Sequence, residues 1–189
     1  MLEIEDIQKN WEMFESLIGM IEDENVSVMI GALENRLVTC PASQKKDQYG
    51  AYPGGLVEHS ILVTNYLSKL NKLYSLSIPK KQILKVGLFH DFGKLGNLEG
   101  DLFIEQDSQW HIEKLGQMYK FNENIQKMST SHRTLYLLQY FNVRLSEDEW
   151  IAVQIAQGNH FEENRFYVGA EPSLAMLLQQ SKAAVLHMK

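Results

Sequence analysis

The sequence predicts an all-α protein, a helical bundle that carries one small β-hairpin. Three observations predict it. Apolar residues recur at three- and four-residue steps along most of the chain, the spacing of one helix face. Helix starts and stops punctuate these runs: Ser77-Ile78-Pro79, Ser146 with Glu149 at capping-box spacing, and Gly93, Gly96 and Gly158. One segment, NLEGDLFIEQ around Glu99-Gly100-Asp101, instead reads as extended residues about a tight turn.

Ile4, Ile7, Trp11, Phe14 and Ile18 mark the first helix. A second runs from about Glu24 to Leu37, with Val26, Met29, Ile30, Leu33 and Leu37 inward. The polar stretch CPASQKKDQYGAYPGG follows, long enough for a connection to cover something functional. His59 then opens a helix with Leu62, Val63, Tyr66, Leu67 and Leu70 on its buried side. The helix from Ser77 carries Ile83, Leu84, Val86 and Leu88 into His90-Asp91. Another follows Thr130-Ser131-His132. The one from Ser146 carries Trp150, Val153 and Ile155, and the last spans about Pro172 to His187.

With 189 residues and no internal repeat or linker, residues 1–189 suit a single domain, its N-terminal helices in 1–40 packing on the bundle. The net charge of −6 argues against general nucleic-acid binding. Cys40 is the single cysteine, so a reduced cytoplasmic setting is expected. No stretch approaches the length of a membrane span, and MLEIEDIQKNWEMF lacks the basic start of a signal peptide. The acidic N-terminal helix has two candidate partners, the bundle or a second copy in a homodimer.

Four of the six histidines, His59, His90, His132 and His160, sit at helix ends or glycine turns. There, side chains from distant segments can converge without breaking an apolar core. Imidazole and carboxylate together suit a divalent Mn, Fe, Ni, Co or Zn ion. Such an ion makes a nucleophile of bound water, and two ions can clamp a phosphoryl group. A surface or capping role is the competing reading for each histidine alone.

The pairing of YPGGLVEHSILV with ILKVGLFHDFGK some thirty residues later resembles the HD superfamily of metal-dependent phosphohydrolases. SHRTLYLLQYF is similar to a later histidine segment of its two-metal members, and SLAMLLQQSKAA to its final helix. The resemblance covers about residues 49–186 and implies an HD-domain-like helical core. It implies one or two divalent ions, with His59, His90 and Asp91 as ligands and Asp91 as the bridge. His132 and His160 would serve a second ion. Lys94, with Arg133 as a further candidate, would neutralise a substrate phosphate. The implied function is a metal-dependent phosphohydrolase acting on a nucleotide or other phosphoester. Metal-bound hydroxide would attack phosphorus while Asp91 and Lys94 assist.

One departure stands against this. Where the family places its last aspartate, this chain has Ser181-Lys182, and no Asp or Glu follows Glu171. A protonated lysine has no lone pair to give a metal. The alternative is a catalytically degenerate HD-fold protein, needing no metal, that binds a nucleotide or a protein partner with Lys182 replacing a metal ligand.

Overall fold

Asp23 accepts a hydrogen bond from the Asn25 amide and opens a helix that runs to Leu37. Ser146 and Glu149 close a reciprocal capping box at the start of another, and Ser129 caps a third through the His132 amide. The structure, a computed structural model, describes residues 2–187. Its elements are α1 (Ile4–Gly19), α2 (Glu24–Leu37), α3 (Gly55–Leu73), α4 (Lys80–Phe89), a 3-10 turn (Phe92–Leu95), β1 (Phe103–Glu105), α5 (Gln109–Leu115), β2 (Tyr119–Phe121), α6 (Thr130–Tyr140), α7 (Glu147–Gln154), a second 3-10 turn (Glu162–Tyr167) and α8 (Ser173–His187). This is a mostly helical fold with one small antiparallel hairpin, as the periodicity predicts. Among the described residues no helix is long and apolar enough to cross a membrane.

Two apolar cores hold the helices together. In one, Phe14, Ile18, Val26, Met29, Leu33 and Leu37 of α1 and α2 meet Leu56, Leu88, Phe89 and Phe92. In the other, Val63, Leu67, Ile83 and Val86 meet Ala152, Leu174, Leu177 and Leu178. Helices α3 and α4 contribute to both. They approach closely because Gly87 has no side chain: a Cβ there would lie 2.4 Å from Thr64 Oγ1. Behind α4, a Cβ on Gly93 would lie 2.1 Å from the Thr130 carbonyl oxygen, while the Gly93 amide donates to Thr134 Oγ1 at 2.8 Å. These two glycines bracket His90-Asp91 and press that corner between α3 and α6.

Four details differ from the sequence reading. Helix α3 begins at Gly55, so His59 lies inside it rather than at its start. Leu62 is exposed, because the packed face of α3 runs through Ile61, Val63, Thr64 and Leu67. Trp150 is exposed because Ala152 and Val153 face inward on α7. The Glu99-Gly100-Asp101 turn makes only an isolated bridge, Gly96 to Asp101, and β1 pairs instead with β2, in the register Phe103–Phe121 and Glu105–Tyr119. That pairing spans α5, and the Phe103 and Phe121 rings meet across it with centroids 5.5 Å apart.

Candidate metal centre

Helix α3 places His59 and the end of α4 places His90 and Asp91 in one buried group. One nitrogen from each imidazole and one Asp91 oxygen all lie within 4.8 Å of one another. His90 Nδ1 is 2.9 Å from the Gly87 carbonyl. A carbonyl only accepts, so Nδ1 carries the hydrogen and Nε2 of the neutral ring keeps its lone pair. Metal-binding histidines are oriented by this kind of bond. His90 Nε2 and His59 Nε2 are both buried and lack a hydrogen-bond partner among the described residues. Burial pushes His90 down to about 4 and takes His59 well below the usual imidazole range, partly offset in each by Asp91. Both rings are therefore neutral at pH 7.

The carboxylate has a different environment. Asp91 Oδ1 accepts from Gln157 Nε2 at 2.7 Å and from Lys182 Nζ at 3.1 Å. Oδ2 pairs with Lys94 Nζ at 2.6 Å and takes a longer contact of 3.5 Å from the Tyr49 hydroxyl. Lys182 Nζ also donates to the Ala156 carbonyl at 2.8 Å. Asp91 is fully buried, and burial alone would raise its pKa. The ammonium groups of Lys182 and Lys94 outweigh that and hold it well below the usual carboxylate range. Burial likewise favours the neutral form of Lys94, but Asp91 and Tyr49 reverse this and raise its pKa. For Lys182 burial wins over Asp91, and its pKa is lowered.

Two histidines and one carboxylate are a fitting donor set for a divalent transition metal. The two ammonium groups are not. Each carboxylate oxygen already has two donors against it, which fills its acceptor capacity. With both histidines neutral, Asp91, Lys94 and Lys182 sum to +1 before any cation is added. A divalent ion beside an ammonium would meet repulsion of several kcal/mol, at about 4 kcal/mol per pair of unit charges 4 Å apart in a protein interior.

The other expected ligands do not join this group. His132 is exposed on α6, with Nε2 at 3.3 Å from Gln154 Nε2. His160 is exposed after Gly158, its ring against Phe161 with centroids 4.3 Å apart. Lys94 does reach Asp91, and it lines a pocket of about 550 Å³ with Tyr49, Phe103 and Phe121. Arg133 is buried elsewhere, with Nη2 on the Gln126 carbonyl at 2.7 Å.

Sequence reasoning missed two members of the corner. Gln157 carries no local signal beyond its place beside Gly158. Tyr49 lies in the long polar connection between α2 and α3, whose length is the signal that it covers something. Its ring sits on His59, with centroids 4.3 Å apart, and its hydroxyl contacts Lys94 Nζ.

No protein-family model, curated protein or solved structure matches this chain.

Proposed function

We propose that the chain is a non-hydrolytic helical binding domain of HD-like architecture, in which Lys182 stands where a metal ligand would be needed. The observation that carries this reading is the full set of donors on Asp91: Lys94, Lys182, Gln157 and Tyr49. A bridging carboxylate must offer lone pairs to an ion, and these are committed. The cluster then serves as a buried charge knot that holds α4, α8 and the Tyr49 loop in register. The ligand this reading favours is a small phosphorylated molecule such as a nucleotide. Lys94 and two phenylalanines on one pocket offer a cation and apolar surface to it.

A second reading, a metal-dependent phosphohydrolase, is favoured by one observation. The buried Nε2 atoms of His59 and His90 lack partners among the described residues, and an ion would satisfy both.

Elemental analysis after dialysis against Mn²⁺ or Zn²⁺, with a phosphodiester hydrolysis assay on the same samples, separates the two. The binding-domain reading expects no stoichiometric metal and no turnover, and a gain of metal in Lys182→Asp. About one ion per natural chain, lost in Asp91→Ala and accompanied by turnover, would establish the hydrolase instead.

A further inference from the structure

Arg133 is 2% exposed, and its fork is half used. Nη2 donates to the Gln126 carbonyl at 2.7 Å, while Nη1 is buried with no partner among the described residues. No carboxylate among the described residues forms an ion pair with it. An arginine cannot shed its charge to escape burial, so an uncompensated guanidinium is costly. The side chain lines a pocket of about 730 Å³, a volume ordinary for a small-molecule site. Leu102, Phe121, Ile125 and Met128 form apolar walls there. The charged lining groups are Arg133, Lys127 and Glu123, which sum to +1. None of the Asp91 cluster lines this pocket.

We propose that this pocket is a binding site for a small organic anion, a phosphate or carboxylate on an apolar or aromatic body, with Arg133 as its anchor. The acidic head would take the free donor of the guanidinium, and Phe121, half exposed at the wall, would carry the body. The proposal goes beyond the reading of the Asp91 corner and holds whichever state that corner adopts.

Phenyl phosphate is the probe, with benzoate as the carboxylate arm and inorganic phosphate as the head alone. Titration of the full chain followed by amide chemical shifts is expected to give saturable binding of phenyl phosphate or benzoate, with shifts centred on residues 122–133. Binding should exceed that of inorganic phosphate by at least about tenfold, fall by at least about tenfold in Arg133→Gln, and weaken several-fold in Phe121→Ala, a variant that loses the Phe103 contact but should stay folded at the titration temperature. No saturation by either organic anion up to about 10 mM, equal binding of inorganic phosphate, or undiminished binding in Arg133→Gln would overturn it. If Arg133→Gln does not fold, the shift map and Phe121→Ala decide: shifts elsewhere, or an unaffected Phe121→Ala, refute the site.

Discussion

Lys182 Nζ lies 3.1 Å from Asp91 Oδ1 and 2.8 Å from the Ala156 carbonyl, so one ammonium ties α8 both to the end of α4 and to the turn after α7. The contact has an energetic consequence. Removing the carboxylate strands two buried cations, whereas removing one lysine leaves the carboxylate a partner. Asp91→Ala is expected to cost about 3–5 kcal/mol in urea unfolding. Lys182→Met should cost less. The double variant should cost less than the sum of the two single variants, because one of the charges stranded by Asp91→Ala is gone. Strict additivity would mean that the two side chains are not coupled.

Acid sensitivity should begin well above the ordinary carboxylate range. Below pH 6.5 the unfolded chain protonates His90, but the folded chain resists until about 4. The unfolded state thus binds more protons in that window, and stability falls as pH falls through it. For His90 alone the loss amounts to about 3 kcal/mol. His59 is shifted in the same direction and adds to the slope. Asp91, held well below the usual carboxylate range by Lys182 and Lys94, contributes a further loss only at lower pH. Urea midpoints across the window should show this slope, and His90→Gln should flatten it.

Gly87→Ala and Gly31→Ala should act in opposite directions. The first would place a Cβ 2.4 Å from Thr64 Oγ1 and 2.9 Å from its Cα, forcing α3 and α4 apart. Overpacking of this kind costs about 1–3 kcal/mol. At Gly31, inside α2, the added Cβ would meet no atom within 4 Å beyond its chain neighbours and the backbone of its own helix, so helix propensity should raise stability by up to about 1 kcal/mol. Thermal melts of the two variants against the natural chain check both signs.

Glu149 has two tasks at the start of α7. Its Oε2 accepts from the Ser146 amide at 2.6 Å and from Lys85 Nζ at 2.8 Å, and the residue is buried. Ser146→Ala removes one capping bond and should cost about 1 kcal/mol. Glu149→Ala also leaves Lys85 with only the Arg144 carbonyl, and should cost about 3–5 kcal/mol. Denaturation midpoints that fall equally in the two variants would show the ion pair to be without weight.

What could be read from the sequence was local. Helix α2 and all five of its inward residues follow from spacing alone, and the Ser146 capping box from two letters three apart. The meeting of His59 with His90-Asp91 did not follow from spacing, which proves no convergence; it was implied only by the resemblance of their two segments to HD phosphohydrolases, and the structure brings the three side chains together. The pairing of β1 with β2 was not legible, since three-residue strands carry too little alternation and their partner lies beyond a helix. Leu62 and Trp150 are one step off the buried stripe, a rotation set by which neighbours arrive rather than by the helix itself. Tyr49 and Gln157 reach Asp91 only through tertiary placement, and no spacing rule could bring His132 or His160 into the group.

Because α3 and α4 belong to both apolar cores, neither half of the bundle can open alone without baring their shared faces to water. The two halves should therefore melt as one cooperative unit. Amide protons in the middle of these two helices should be the slowest to exchange with deuterated solvent, with rates set by global unfolding.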